Sequence, residues 1–515
     1  MFLKSSIIFA IYTFISRIFG LVRDLLIAAN FGISVFADAF NVALKLPNFF
    51  RSIFAEGAFS SAFVPLFSRK VSHGEKQQAI EFASNALTIL TIAVTGLVAL
   101  FEVVMPLVIL VLAPGFEDET FKINLTIYLT RITIPYLIFI SLVTFFSCVL
   151  SVFGKFAGQA ASPIILNLCM IIALSLFKNN QEQTSEMLAW SVFIGGILQL
   201  LAIYLTIRKH KLRINFCKPI INRDIKKLFS NMMPAVLGSG VSQINLWIGT
   251  IIATSIPGAV SLIYYADRIT QLPLALIGVS IGIVILPTLS KQAKAGKMEK
   301  YIYTQNRAIE ISLLLSLPCM VALLVIAKPV IYVLFQHGAF TSQDTEKTSL
   351  ALITLSIGIP AYILNKILIP AFFAVEDTKT PVKISVFCLI LNIISNLILI
   401  NYLQHVGITL STALVAWINI ILLFRFAIKK QIFFFDSLIR KKMMRLALSG
   451  LCMYWYLDSV LGILYQYIYS PNKLVSISAF VLMTSSAAAV YFAAIFVTRS
   501  YSPAELNNLY HTRAK

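Results

Sequence analysis

Arginine and aspartate recur inside stretches that are long and apolar enough to cross a membrane. The first such stretch, residues 6–29, holds Arg17, Arg23 and Asp24; the next holds Asp38, Lys45 and Arg51; near the midpoint of the chain Asp267 and Arg268 interrupt another. A charge at mid-bilayer costs about 2.5–3.5 kcal/mol even on insertion scales. A chain that keeps this many must shelter them in a polar cavity between helices. Their excess is positive, so the expected occupant is an anion. Guanidinium stays charged and forks onto two oxygens at once, which suits phosphate better than any other side chain does. Arg17, Arg23, Arg51 and Arg268 therefore form a candidate set for gripping a phosphorylated headgroup. Asp24, Asp38 and Asp267 would orient them and offset their charge when the cavity is empty. The plainer alternative is internal ion pairing that only locks helices together.

Helical spacing supports the grouping. Arg17 and Asp24 lie seven apart and share a face, as do Asp38, Asn41 and Lys45. Pro47 then breaks or kinks the second stretch just before Asn48 and Arg51. Backbone groups freed by such a kink are tolerated in a membrane only where they line a cavity.

The elements that must position these residues follow from composition. Hydrophobic residues make up 58% of the chain and charged residues 12%, about half the charge of a soluble domain. The expected fold is an all-α polytopic membrane protein, since lipid demands that every backbone group be paired within its own segment. Fourteen spans are expected, with no soluble domain and no cleavable leader. Of the 42 lysines and arginines, 29 fall in one alternate set of loops and the tail, and only four, among them Lys122, fall in the other set. The positive-inside rule then places both termini in the cytoplasm. The net charge of +20 is thereby read as topology and attraction to anionic lipid headgroups, not as nucleic-acid binding.

The basic segment 208–227 divides the chain. The expected organisation is an N-lobe of six helices over 1–207, the connector 208–227 lying on the membrane surface, a C-lobe of six over 228–430, and two further helices with a tail over 431–515. The lobes echo each other. Residues 38–70 place Pro47 after a charged stretch, then small and apolar residues, then Pro65; residues 264–291 do the same with Pro273 and Pro287. Two parallel repeats around a central cationic cavity suit alternating access. Enzyme motifs are absent: there is no GxxxxGK[ST], HExxH or GxSxG, and the six cysteines and five histidines show no metal-ligand spacing. No cofactor is expected. Without an ATPase motif, directed transport would draw on a membrane potential, an ion gradient or consumption of the product.

The stretch SRIFGLVRDLLIAANFG (residues 16–32), the following DAFNVALKLPNFFRSIFAEGAFSSAFVPLFS, the stretch YYADRITQLPLALIGVSIGIVILPTLSK (264–291), DTKTPVKI (377–384) and LAPGFEDE (112–119) together resemble the MurJ (MviN) family of lipid II flippases, in the multidrug/oligosaccharidyl-lipid/polysaccharide exporter superfamily. The resemblance runs over essentially the whole chain. It implies a bacterial inner-membrane protein that carries lipid II, an undecaprenyl-pyrophosphate-linked disaccharide-pentapeptide, to the periplasmic leaflet for peptidoglycan synthesis. The implied partners are lipid II, membrane lipids and the peptidoglycan-synthesis machinery. The family's functional charges match at Arg17, Arg23, Asp38, Arg51 and Arg268, and its second-helix motif at Asn48, Glu56 and Gly57-Ala58. One departure stands out: Gln271 occupies a position where family members often carry glutamate. A sister flippase for another polyprenyl-linked glycan is the nearest alternative. Drug exporters would favour an acidic cavity.

Overall fold

The computed structural model describes residues 2–155, 157–178, 180–210 and 212–501. Its described residues form helices and no strands. Ten of these helices are long and apolar enough to cross a membrane. The chain divides into two compact units, Met1–Ser261 with Gly338–Phe340, and Leu262–His337 with Thr341–Lys515.

The first unit holds α1 (Phe2–Phe31), α2 (Val35–Phe50), α3 (Ser60–Ser72), α4 (Lys76–Leu112), α5 (Thr120–Thr133), α6 (Tyr136–Val152), α7 (Ala157–Leu176), α8 (Gln181–Lys209) and α9 (Arg223–Ala253), and α10 (Ala259–Pro273) begins in it. Between α2 and α3 the chain does not break. A π-helical segment, π1 (Arg51–Phe59), joins them, starting one turn after Pro47. Proline supplies no N–H, and one or two residues of wider winding absorb the lost hydrogen bond. Phe59, Phe63 and Phe67 stack in sequence from π1 into α3, and Phe63 reaches Phe145 of α6.

Sequence division and structural division differ for α9. Splitting the chain at the basic connector assigns α9 to the second lobe, but α9 packs on π1, α3 and α4 and belongs to the first unit. The connector itself is a strap along α4. Asn215 N–H donates to Ser84 Oγ (3.3 Å), Cys217 N–H to Thr88 Oγ1 (3.1 Å) and Ile220 N–H to Asn85 Oδ1 (3.0 Å), and Asn85 Nδ2 donates back to the Ile220 carbonyl (2.6 Å). Ser84, Asn85 and Thr88 share one face of α4 by their i, i+3/i+4 spacing. They pair backbone groups of a non-helical segment that has no helical partner of its own.

The second unit holds the rest of α10, then π2 (Leu274–Val279), α11 (Ser280–Lys294), α12 (Met298–Phe335), α13 (Ser342–Ile357), α14 (Ile359–Ala374), α15 (Lys379–Lys429), α16 (Ser437–Ile468) and α17 (Lys473–Val497). The expected proline repeat has a backbone counterpart here, since π2 follows Pro273 as π1 follows Pro47. Helix α15 reverses at Gln404 (φ 50°, ψ −133°). The reversal brings Ser411 Oγ within 2.9 Å of Asn392 Oδ1, nineteen residues back in the chain. Gly407 is required there, because a Cβ would run into the Leu399 carbonyl.

Helices α16 and α17 are tied to α12 by a buried ionic cluster. Arg307 pairs with Glu310 and donates to Asp436 Oδ2 (2.6 Å), and Lys442 donates to Glu310 Oε1 (2.7 Å) while capping the Tyr501 ring at 4.1 Å. Tyr491 Oη adds a bond to the Leu314 carbonyl at 2.9 Å.

Candidate functional site

In the first unit the fixed cation of α1 is Arg23. Its Nε and one terminal nitrogen donate to Asp24 Oδ1 at 3.0 and 2.7 Å, and the other terminal nitrogen donates to Asn167 Oδ1 at 2.8 Å. Asn167, on α7, also donates to the Ser16 carbonyl at 3.2 Å. The arginine and aspartate side chains are 12% and 4% exposed, so their attraction is little screened by solvent. Asn167 is a site residue that the sequence argument missed. Its signal was available: it is a lone amide in the apolar run of α7, and buried amides are kept for their partners. Arg17 lies exposed on α1, two turns before Asp24.

The stripe Asp38, Asn41 and Lys45 forms one line of contact on α2. Asp38 accepts from Lys122 Nζ (3.0 Å), Gly258 N–H (3.1 Å), Ser261 N–H (3.0 Å) and Ser261 Oγ (2.7 Å). Asn41 Nδ2 donates to Ser261 Oγ (3.2 Å). Lys45 donates to Thr250 Oγ1 and to the Leu246 carbonyl (3.3 Å). Asp38 therefore differs from the expected role of orienting arginines, because its partner is a lysine of α5. The cause is local. Ser34 caps α2 and sets Asp38 in its first turn, facing the start of α5, where Phe116 roofs Lys122 at 4.1 Å. Lys122 is only 2% exposed, so it is not the loop charge that its position suggested. The LAPGFEDE turn has its reason here as well: Gly115 N–H donates to Thr254 Oγ1 at 3.2 Å, and any Cβ on Gly115 would meet the Ser255 backbone.

Asn48 and Arg51 sit at the junction of α2 and π1. Asn48 Nδ2 bonds the Leu44 carbonyl (2.9 Å), and Arg51 N–H reaches back to the Asn48 and Pro47 carbonyls. Arg51 thus opens the widened turn. Glu56 lies in π1, with its side chain outside the described residues.

In the second unit Arg268 stacks on the Tyr264 ring at 4.5 Å, a cation–π contact. Beside it, Asp267 accepts from Gln271 Nε2 at 3.3 and 3.4 Å. Gln271 therefore does what a glutamate could not do while ionised, since it donates to the neighbouring carboxylate. Lys366 packs its stem against Gly278 and Gly282 around π2. Lys328 lines an outer niche with Tyr332, Tyr465 and Tyr469.

Helices long and apolar enough to span, with charges kept within them, define a multi-pass membrane protein. The fold agrees with an inward-facing multidrug resistance MATE transporter of the MOP superfamily, with a TM-score of 0.67 at 14% identity over 83% of this chain and 96% of that one. The family is shown by sequence. The chain matches the family described as lipid II flippase MurJ over residues 27–495, and it belongs to that family. It is 39% identical to the probable lipid II flippase MurJ of Rickettsia prowazekii (strain Madrid E) over 496 residues, 96% of this chain and 97% of the relative. A solved structure of lipid II flippase MurJ in an inward closed conformation superposes with a TM-score of 0.77 at 28% identity, over 95% of this chain and all of that one. The family consists of transporters, not enzymes.

Proposed function

We propose that this chain flips lipid II from the cytoplasmic to the periplasmic leaflet of the bacterial inner membrane by alternating access. Family membership supports the substrate. The observation that carries the headgroup assignment is Arg23, a guanidinium kept inside a membrane segment and fixed by Asp24 and Asn167. Arg17, Arg51 and Arg268 complete the cationic set, and together they take the pyrophosphate and its sugars. Asp24 and Asp267 keep the empty protein from carrying bare positive charge in lipid. The architecture proposed with this function has fourteen crossings, both termini in the cytoplasm, and a cycle driven by membrane potential or an ion gradient. Delivery of product to the peptidoglycan-synthesis machinery would follow on the periplasmic side.

The test is complementation. A bacterium depleted of its own flippase would express this chain, and lipid II exposed on the periplasmic face would be followed. Rescue by the wild type, with loss in Arg51→Ala, Arg17→Glu and Arg268→Glu at normal membrane levels, is the expected result. Full flipping by the charge-reversed variants would remove the arginines from the mechanism. Failure of a well-inserted wild type would point to a sister flippase for another polyprenyl-linked glycan.

A further inference from the structure

The first unit contains a second site, unrelated to the arginines. A cavity of about 390 Å³ lies among π1, α4, α6 and α9. That volume is within the ~300–1,000 Å³ range of small-molecule sites. Its walls are apolar: Phe50 and Phe59 flank π1, Leu90 and Val94 come from α4, and Phe229 and Met233 come from α9. Among the described lining residues, hydroxyls enter only at Ser141 and Ser230. The cavity is open on one side, where Phe229 and Met233 are 46% and 58% exposed.

The basic end of α9 supplies the second half of the site. Residues 225, 228, 229, 232, 233 and 236 line the cavity, which is one helical stripe. Lys226 lies on the flank of that stripe, one turn before Ser230, and is exposed together with Arg223 and Lys227. The strap that leads into α9 carries Phe216, Ile220 and Ile221 at 64%, 60% and 71% exposure, alternating with Lys218. Apolar side chains left bare beside lysines are the composition of a headgroup interface, where the rings and branches dip and the amines stay with the phosphates.

We infer that this cavity holds an acyl chain of an anionic bilayer phospholipid whose phosphate rests on Lys226 and its basic neighbours. Charge complementarity selects the headgroup, and the described wall residues, apolar but for two hydroxyls, suit hydrocarbon. A zwitterionic lipid offers the same chain without the net charge, so selectivity is the signature of the site. The inference does not depend on the proposed flipping activity.

Native mass spectrometry of the full-length protein, titrated with phosphatidylglycerol or phosphatidylcholine, provides the test. The wild type is expected to bind a first phosphatidylglycerol well ahead of phosphatidylcholine. Lys226→Gln with Lys227→Gln should weaken that first phosphatidylglycerol about five-fold per lysine and leave phosphatidylcholine unchanged. Ala93→Phe, which fills the cavity from an exposed position on α4, should abolish the first phosphatidylglycerol, with Val94→Phe as a second filling variant and an unchanged melting temperature as the folding control. Equal binding of the two lipids, or phosphatidylglycerol binding that survives both filling variants, would overturn the assignment. So would lipid II displacing phosphatidylglycerol mole for mole, because the cavity would then belong to the transported substrate. All of these readouts are binding measurements, so a failure of the flipping assignment would leave them interpretable.

Discussion

The rods α2–π1–α3 and α10–π2–α11 use one backbone device with two different chemistries. Each runs from an aspartate through a proline into a π segment and on to a second proline. In the first, Asp38 is fully buried and accepts four hydrogen bonds, one of them from a lysine. In the second, Asp267 is half-buried and held by an amide, with the Arg268 guanidinium stacked on a ring. The cation also changes place. Arg51 opens π1 after its proline, whereas Arg268 precedes Pro273 and π2 begins on Leu274. The backbone repeat thus places a π segment after the first proline of each rod, while the side chains around each aspartate differ, a lysine in the first and an amide in the second.

The largest effect that tests this contrast is on Lys122. Lys122→Met leaves Asp38 charged and buried without its partner, so a loss of about 3–5 kcal/mol is expected, read as a fall in the melting temperature of purified protein. Asp267→Asn should cost no more than about 1 kcal/mol in the same assay, because its partner is neutral and both groups reach solvent. Equal losses would erase the distinction between a locked and an available aspartate. Asn167→Ala comes next. It strips one charge-assisted bond from Arg23, worth about 1.5–3 kcal/mol, and should lower flipping more than stability, since the freed guanidinium loses its aim. Gln271→Glu probes the second rod more finely. Two carboxylates one turn apart repel by roughly 0.2–0.5 kcal/mol, so the variant should melt lower than wild type at pH 7 and match it once acid protonates the pair.

A small, pH-dependent effect lies in the turn between α14 and α15. Burial raises the Asp377 carboxyl, but hydrogen bonds from Lys430 and Thr380 and the Lys430 charge outweigh it, and the net pKa lies below the usual carboxylate range. A group depressed in the folded state stabilises the fold above its unfolded pKa and loses that contribution as pH falls through the folded value. Lys430→Met should therefore cost under about 1 kcal/mol at neutral pH and nothing at strongly acid pH, as followed by thermal melts. A constant difference across pH would show that the pair does not carry the turn.

Much of this was legible in the sequence, for reasons of period and cost. Long apolar runs can only be helices in lipid, prolines mark where a rod must adjust, and charges too expensive to keep idle announce a site. The stripe Asp38–Asn41–Lys45 was readable because α-helical spacing alone puts those residues on one face. What the stripe touches was not readable. Partners lie far along the chain: Lys122 is 84 residues from Asp38, and Asn167 is 144 from Arg23. The cluster of Glu310 with Arg307 and Lys442 escaped for the same reason, since Glu310 reads as one acid near a helix start until α16 is laid against it.

The sequence by itself determined the class of protein, its family, the helical runs, the proline rhythm of the two rods and the residue types that could meet a phosphate. Each of these depends on local composition or on spacing within one segment, which folding does not rearrange. Tertiary structure alone decided that Asp38 serves Lys122, that α9 packs with the first unit, that the basic connector is a strap bound to Ser84, Asn85 and Thr88, and that an apolar cavity opens beside its lysines. These depend on which surfaces meet, and two segments meet because their buried areas and hydrogen-bond needs match in space, which no single stretch of chain encodes.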